Sequence, residues 1–170
     1  TFSYPGGCDI GSRPIDLHLA AFKKLGVNIS EDSGFITCKC DKIIGTNIDL
    51  DFPSVGATEN IILASVYADG TTKITNAAME PEIVDLAKCL NKMGAKITAQ
   101  GKSAFFEGVK ELSGSPVYAT DLRAGSALII AGIIAKGETQ VFNIEHIDRG
   151  YENIEQKFRN LGANIQRVSE

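Results

Sequence analysis

The sequence lacks both a long hydrophobic run and an excess of basic residues. Its longest apolar stretch, Ala127–Ala135, has nine residues, which is too short to cross a bilayer. Seventeen basic and 21 acidic residues leave a formal net charge of −4, so the chain has no general footprint for nucleic acid or an anionic membrane. We therefore expect neither nucleic-acid binding nor membrane insertion.

Residues that build disulfide frameworks and metal sites are also scarce. The chain has four cysteines and two histidines, and without a visible signal peptide the thiols indicate a reducing, cytoplasmic compartment. Cys38 and Cys40 alternate on a predicted strand, and no cluster of further ligands completes a metal site with them. We expect these two side chains, and that of Cys89, to pack in the core. No metal is expected.

The remaining composition is that of an ordinary globular protein, with 44% hydrophobic and 22% charged residues. This balance excludes wholesale disorder, which requires few apolar residues and a large net charge. A length of 170 residues is typical of one domain, and no Pro/Ser-rich linker marks a boundary.

A repeat organises the sequence, with a period of about 68 residues. Three segments with helical spacing of apolar residues end in the similar sequences LGVNI, MGAKI and LGANI. Their glycines are Gly26, Gly94 and Gly162, and the spacing from the first to the second equals that from the second to the third. Each glycine is predicted to end a helix with a positive φ, and β-prone residues follow it.

A second type of helix alternates with the first. It is predicted at about residues 55–68 and 122–135, and the glycines that close it, Gly70 and Gly137, are separated by nearly the same spacing. Strands are predicted after these helices and at two further places, residues 34–40, 72–75, 104–107 and 139–144. The unit is therefore βαβαββ, the chain holds about two and a half copies, and the alternation favours helices packed on sheets.

Arginine placement is the most informative local feature. Arg13 and Arg149 stand at the same distance before their repeat glycines, and Arg123 lies at the start of a helix of the second type. The pattern predicts all three at helix N-termini, where a cation does not stabilise the helix. Because guanidinium groups and helix N-termini both bind anions, one interpretation is a phosphate or carboxylate site. Ion pairs with Asp121, Asp148 or nearby acids are the alternative.

Two further places could carry chemistry. A lone cysteine such as Cys8 is usually a small buried apolar side chain. The glycines around Cys8 indicate a mobile loop instead, in which Arg13 would favour a reactive thiolate and Asp9 would oppose it. Ser54, followed by Val55 and Gly56, is predicted as a helix N-cap, and the amides of that helix start could bind phosphate. No Walker lysine or Gly-x-Gly-x-x-Gly fingerprint occurs, so no nucleotide site is predicted from a motif alone.

These motifs together resemble a known family. The stretch PGGCDIGSRPIDLH, residues 5–18, is similar to the active-site loop of the UDP-N-acetylglucosamine enolpyruvyl transferases, within the enolpyruvyl transferase family. Four later stretches are similar to the same family in the same order, residues 54–60, 76–85, 119–124 and 146–152. The resemblance covers nearly the whole chain.

The resemblance implies an α/β (α+β) fold, the inverted α/β barrel, in which each of two domains contains three βαβαββ units. The repeat described above corresponds to one such unit, and the barrel is expected to be incomplete here. The implied reaction transfers enolpyruvyl from phosphoenolpyruvate to the 3-hydroxyl of UDP-N-acetylglucosamine and releases phosphate, the first committed step of bacterial peptidoglycan synthesis. It proceeds by addition and elimination, and no metal or organic cofactor is implied.

The resemblance also implies roles for individual residues. Cys8 corresponds to the loop cysteine that protonates or covalently holds phosphoenolpyruvate and reacts with fosfomycin. Asp121 corresponds to an acid near the reacting centre, and Arg123 and Arg149 correspond to arginines that close on phosphoenolpyruvate. The implied substrate-binding residues are Arg13 beside phosphate groups, Pro14, Ile15, Asp16 and Leu17 along the uridine, and Ser54, Val55 and Gly56 at the diphosphate.

The chain also departs from the family. The family's N-terminal lysine–asparagine pair, an upstream phosphate-binding arginine and the aspartate that takes the proton of the sugar hydroxyl have no counterpart in it. Near residues 100–105 the resemblance passes from the first domain to the end of the second. We therefore predict that residues 1–101 are part of a first domain and residues 102–170 the last unit of a second. Two units are predicted to be absent between them, so we interpret the sequence as an incomplete or composite version of the enzyme, either a fragment, a deletion product or a sequence without its intervening residues. Little or no turnover is expected from this chain alone.

Two other functions stay open. A non-catalytic βαβαββ module that binds an anionic ligand or a partner protein fits the missing catalytic groups. Another enzyme of the same fold, such as the shikimate-pathway transferase, is disfavoured by the Gly-Gly-Cys loop. The sequence does not define an oligomeric state. If the incomplete set of units leaves a sheet edge unpaired, that edge would be prone to aggregation.

Overall fold

The computed structural model describes residues 1–5 and 15–168, in which strands and helices alternate. Cys8, Arg13 and Pro14 lie outside the described residues. The helices are α1 Asp16–Lys24, α2 Val55–Ser65, α3 Pro81–Lys92, α4 Leu122–Ile134, α5 Glu145–Asp148 and α6 Ile154–Asn160. The strands are β1 Phe2–Ser3, β2 Asn28–Asp32, β3 Phe35–Lys39, β4 Asn47–Asp49, β5 Thr71–Thr75, β6 Lys96–Gln100, β7 Ser103–Glu107, β8 Pro116–Tyr118 and β9 Gln140–Phe142.

The elements follow the predicted repeat. Helices α1, α3 and α6 end just before Gly26, Gly94 and Gly162, whose φ angles are 93°, 101° and 96°. Residues with a side chain rarely adopt this left-handed backbone conformation, so glycine ends these helices without strain. Both helix types are confirmed at about the predicted places, and so are the strands that follow Gly26, Gly70, Gly94 and Gly137. No helix of the described residues is long and apolar enough to cross a membrane.

The chain divides into two compact units. The first comprises residues 1–79 and 96–109, and the second comprises the remaining residues. This division describes packing within the chain. The assignment of residues 1–101 and 102–170 to two different domains of the family concerns correspondence with relatives and stays a prediction.

The first unit contains two sheets. The smaller has the strand order β1-β3-β2 and is antiparallel. The larger has the order β4-β5-β7-β6, in which β4 and β5 are parallel and the other neighbours are antiparallel. Ile74 of β5 is paired with Ile48 on one side and Ala104 on the other, and it is fully buried. The turn between β6 and β7 contains the predicted boundary between residues 101 and 102.

Among the described residues, a short backbone motif occurs in both units and shows the repeat at the level of single hydrogen bonds. In the first unit the N–H of Gly45 donates to the carbonyl of Asp69 at 2.8 Å, and in the second the N–H of Gly114 donates to that of Lys136 at 2.8 Å. Each bond joins the segment before one strand to the end of the helix that follows that strand. A Cβ on Gly114 would lie 2.2 Å from the carbonyl oxygen of Glu138, so only glycine fits there.

The second unit contains a two-stranded sheet among its described residues. β8 and β9 are parallel, with Val117 paired with Val141. The repeat predicts a counterpart of β6 after Gly162, but residues 163–168 form no strand. A core of four buried side chains lies beside this sheet, Ala119, Ile129, Ile147 and Ile154.

The cysteines differ from the sequence prediction. Cys38 and Cys40 are exposed, so the prediction that they pack in the core is wrong. β1 pairs with β3 only as far as Ile36, and the Cys38 end of β3 therefore has a strand on one edge alone. Cys89 is half-buried on α3, and burial raises the pKa of its thiol.

The Gly114 motif gives a test of this architecture. The substitution Gly114→Ala should lower the free energy of unfolding by about 1–3 kcal/mol, because the added methyl forces two tightly packed backbones apart. Urea denaturation measures the change. The control is Ser113→Ala at the exposed neighbouring residue, which should change stability by less than about 0.5 kcal/mol. Equal unfolding midpoints for the two variants would contradict the close approach at Gly114.

Candidate functional site

The N-terminal ends of α1 and α2 lie beside each other in the first unit. His18, in the first turn of α1, packs against Gly56 in the first turn of α2. Its Nε2 lies 3.3 Å from the position that a Cβ on Gly56 would occupy. Burial lowers the pKa of His18, and hydrogen bonds to the backbone of Gly56 and Ile15 partly oppose that shift. The contact brings together two predicted binding stretches, 15–17 and 54–56.

The start of α2 is built to present backbone donors. Ser54 is its N-cap, in extended conformation, and the Ser54 hydroxyl accepts a hydrogen bond from the N–H of Ala57 at 3.4 Å. The first amides of a helix have no intrahelical acceptor and lie at the positive end of its dipole. Helix α2, described throughout, has no acidic residue in its first turn. This end therefore suits an anionic group such as a diphosphate.

The start of α1 has a different character. Ile15 occupies the N-cap position without a side-chain cap, and its carbonyl accepts from the N–H of Leu19 at 3.0 Å. Asp16 is exposed, whereas Ile15 and Leu17 are half-buried. This stretch therefore offers apolar surface and one carboxylate, which suits a planar ring with N–H donors better than a phosphate.

Residues that follow β5 form hydrogen bonds with the first turns of α2 and with the segment before that helix. Thr58 is fully buried, and its hydroxyl accepts from the N–H of Ala78 at 3.1 Å. Asn76, with a left-handed φ of 56°, donates from its side-chain amide to the carbonyl of Leu50 at 3.0 Å. His18, Thr58 and Asn76 were not among the predicted site residues. Of these three, only Thr58 could have been found from the sequence, because it lies in the first turns of a helix with a predicted N-cap.

In the second unit, Asp121 and Arg123 form the start of α4. Asp121 is the N-cap, and its carboxylate accepts from the N–H groups of Arg123 and Ala124 at 2.7 and 3.1 Å. Arg123 therefore stands at a helix N-terminus, as predicted. Its guanidinium donates to Glu82 at 2.7 Å and lies 3.9 Å from Asp121. The alternative considered for the arginines, ion pairing with nearby acids, thus holds for Arg123 in this structure.

Arg149 does not stand at a helix N-terminus, so that prediction is wrong. It is the C-cap of α5, and α6 begins only at Ile154, after Asn153 with a left-handed φ of 48°. A cation is favourable at a helix C-terminus, so this position needs no ligand to explain it. The neighbouring Asp148 accepts two hydrogen bonds from Arg167, at 2.8 and 2.9 Å, which lower the pKa of its carboxyl.

The structure thus brings together the predicted substrate-binding residues that it describes, Ile15, Asp16, Leu17, Ser54, Val55 and Gly56. Of the predicted catalytic residues, it describes Asp121, Arg123 and Arg149, all in the second unit. No group of three or more histidine, cysteine or acidic side chains that could hold a metal ion occurs in residues 1–5 and 15–168.

Comparison with protein families gives one match in two parts. A family model described as EPSP synthase (3-phosphoshikimate 1-carboxyvinyltransferase) matches residues 1–111 and, separately, residues 103–158. The two matches overlap at residues 103–111, the segment that contains β7. They cover most of the chain.

Curated relatives align with this chain either over a span much longer than the chain or over a span of about its own length. A UDP-N-acetylglucosamine 1-carboxyvinyltransferase 2 from Carboxydothermus hydrogenoformans is 33% identical over 309 residues, covering 99% of this chain and 74% of the relative. Since the chain has 170 residues, about 140 of those 309 positions have no counterpart in it. The like-named protein 2 of Caldanaerobacter subterraneus subsp. tengcongensis is 46% identical over 166 residues, covering 96% of this chain and 39% of the relative.

Solved structures show the fold. An enolpyruvyl transferase, NikO from Streptomyces tendae, superposes with a TM-score of 0.74 at 21% identity, over 87% of this chain and 35% of that one. An EPSP synthase from Acinetobacter baumannii superposes with a TM-score of 0.56 at 21% identity, over 79% of this chain and 35% of that one. The chain spans about a third of these structures, and the predicted fold, a partial enolpyruvyl transferase-like α/β architecture, is confirmed. By its sequence matches and its fold, the chain belongs to the EPSP synthase family of enolpyruvyl transferases.

Proposed function

We propose that this chain carries the sugar-nucleotide site of an enzyme that transfers enolpyruvyl from phosphoenolpyruvate to the 3-hydroxyl of UDP-N-acetylglucosamine and releases phosphate. The contact between His18 and Gly56 supports this most directly, because it joins the two stretches that resemble the family's uridine and diphosphate sites. The names of the relatives support the same substrate. We place the protein in the bacterial cytoplasm, where this substrate is made.

The sugar nucleotide would lie across the two helix starts. The amides of Val55 and Gly56 and the hydroxyl of Ser54 would bind the diphosphate, aided by the helix dipole. The half-buried Ile15 and Leu17 would line the uracil ring, and the carboxylate of Asp16 would accept its N–H. Each of these residues contributes the chemistry that its exposure and position in the helix allow.

The second substrate would use Cys8, Asp121, Arg123 and Arg149. In the reaction the 3-hydroxyl of the sugar loses its proton to a general base and its oxygen bonds to C2 of phosphoenolpyruvate, while C3 gains a proton, which gives a tetrahedral intermediate. Loss of a proton from C3 then expels phosphate and restores the double bond. The thiol of Cys8 is the proposed proton donor, and the arginines would stabilise the phosphate charge through bidentate hydrogen bonds.

A second candidate function is anion binding without turnover. Arg123 is already paired with Glu82 and Asp121, and the family's general base has no counterpart in this chain. A binding module needs neither a free Arg123 nor that base. Binding and turnover are therefore tested separately.

Ser54 tests the proposed diphosphate site. The chain should bind UDP-N-acetylglucosamine in isothermal titration calorimetry, and Ser54→Ala should raise the Kd about tenfold, because one hydrogen bond to a charged group and the helix cap are lost. The control is Ser54→Thr, which keeps the hydroxyl and should bind within about threefold of the parent chain. Unchanged affinity in Ser54→Ala, or no binding by the parent chain at millimolar ligand, would contradict the proposed site.

Phosphate release tests whether binding leads to transfer. With both substrates present, the chain alone should release little or no phosphate, because the group that takes the sugar's proton is missing. The measurement is a coupled phosphate assay, with a full-length relative as the positive control. Turnover comparable to that relative would contradict this expectation. Binding without turnover would agree with it and would favour the second candidate function for this chain in isolation.

Fosfomycin tests the role of Cys8. A thiolate opens the epoxide, forming a C–S bond as a C–O bond breaks and the alkoxide gains a proton. In the presence of UDP-N-acetylglucosamine, peptide mass spectrometry should find one adduct, on Cys8. The exposed Cys38 and Cys40 serve as internal controls for general thiol reactivity, and the raised pKa of Cys89 makes it a poor nucleophile. Adducts on Cys38 or Cys40 without one on Cys8 would refute the assignment.

A further inference from the structure

The side chain of His18 belongs to α1 but lies against the first turn of α2. Its Nε2 is 3.3 Å from the position that a Cβ on Gly56 would occupy. Because a carbon–carbon bond is about 1.5 Å long, this nitrogen lies within about 5 Å of the Cα of Gly56. The absence of a side chain at Gly56 is therefore what allows the imidazole ring to approach the start of α2.

Gly56 also belongs to the proposed diphosphate site. It is the second residue of α2, whose N-cap Ser54 accepts a hydrogen bond from the N–H of Ala57. The N–H groups of Val55 and Gly56 have no acceptor within the helix, as in the first turn of any α-helix. An anion held by these amides would be separated from the imidazole ring of His18 by the width of a single glycine.

The surroundings of His18 favour its two protonation states in opposite ways. Burial of the half-exposed ring favours the neutral form and lowers its pKa, whereas hydrogen bonds with the backbone of Gly56 and Ile15 favour the protonated form. Nδ1 is buried and makes no hydrogen bond of normal geometry with the described residues. Because these influences partly cancel, a further charge placed near the ring would have a direct effect on its protonation.

Charged side chains near α1 do not determine the protonation of His18. α1 packs against α2, β2 and β4. The charged residues of these four elements are Asp16, Lys23 and Lys24 on α1, Glu59 on α2, Glu31 and Asp32 on β2, and Asp49 on β4. None of them contributes to the shift in the pKa of His18, whose causes are burial and the two backbone contacts. An anion bound at the start of α2 would therefore not have to break an ion pair of this histidine.

On the basis of the function proposed above, we propose that His18 is a proton-linked positioning residue, which gains a proton from solvent when a diphosphate binds at the start of α2. The new N–H bond forms on the imidazole ring, and the diphosphate of the sugar nucleotide stays fully ionised. Attraction between the imidazolium and the bound anion favours the protonated ring, and the partial exclusion of water strengthens it. Protonation supplies a positive charge to α2, which has no basic residue of its own.

The direction of the pH dependence follows from this linkage. In the free chain, burial holds the pKa of His18 below its ordinary value, and a bound dianion raises it. The affinity for the sugar nucleotide is then highest below the pKa of the free chain. It falls as the pH rises from that pKa to the pKa of the complex, by at most about tenfold per pH unit for one proton.

Isothermal titration calorimetry with UDP-N-acetylglucosamine tests this proposal. Titrations in two buffers of different ionisation enthalpy should show proton uptake on binding, and the Kd should rise about tenfold between about pH 6 and pH 8. His18→Gln keeps a hydrogen-bond donor but cannot gain a charge, so its Kd should change less than about twofold over that range, without proton uptake. The matched control is His146→Gln in the second unit, which should behave like the parent chain.

Proton NMR of the imidazole signals gives a second measurement, which needs no substitution at His18. The chain has two histidines, and His146→Gln assigns their signals. UDP-N-acetylglucosamine should raise the titration midpoint of His18 and leave that of His146 unchanged. Binding without proton uptake, an unmoved or lowered midpoint of His18, or the parent's pH dependence in His18→Gln would overturn the role of His18 and leave the proposed function standing. Absence of binding by the parent chain would overturn both.

Discussion

The sheets of this chain depend on a single constraint, the strand that is hydrogen-bonded on both edges. β7 fills this position in the larger sheet, where it joins the parallel β4–β5 pair to the edge strand β6. Its Phe106 is almost fully buried and Ile74 beside it is fully buried, so the same strand closes the backbone ladder and covers the apolar face. In the second unit, where no described residue fills this position, the sheet has two strands and residues 163–168 form none.

The same constraint explains how the chain forms the four-stranded sheet although its alignment with a relative has a long internal gap. About 140 positions of a relative, 309 aligned against 170 present, have no counterpart here, which is close to the length of two repeats. A gap of whole repeats would preserve the register, so β7 would meet the same partners if it belongs to another repeat, as the sequence predicts. The two family matches overlap at residues 103–111, which contain this strand. β6 and β7 pair through all five of their residues, as a β7 from another repeat would have to do.

The features that could be predicted from the sequence are local, and those that could not are contacts between distant residues. Apolar periodicity and helix-ending glycines are encoded within a few residues, so the helices and the repeat were predictable. Exposure of Cys38 depends on how far β1 extends along β3. The Arg123–Glu82 pair joins residues 41 positions apart. Arg149 was misplaced because α6 begins three residues after Tyr151, behind the left-handed Asn153. The His18–Gly56 contact likewise depended on tertiary packing.

The pairing of Arg123 bears on both candidate functions. The side chain of Arg123 is 47% exposed and that of Glu82 is 16% exposed, and an ion pair that water reaches from one side is worth about 0–1 kcal/mol. A bidentate bond from arginine to a phosphate is charge-assisted on both sides, and hydrogen bonds to charged groups contribute about 1.5–3 kcal/mol each. If a phosphate-bearing substrate binds Arg123, as proposed, it would therefore displace Glu82, and the gain from the new hydrogen bonds would exceed the loss of the ion pair. The carboxylate of Asp121, which already caps α4, would stay beside that phosphate, so Arg123 would also have to offset the repulsion between the two anions.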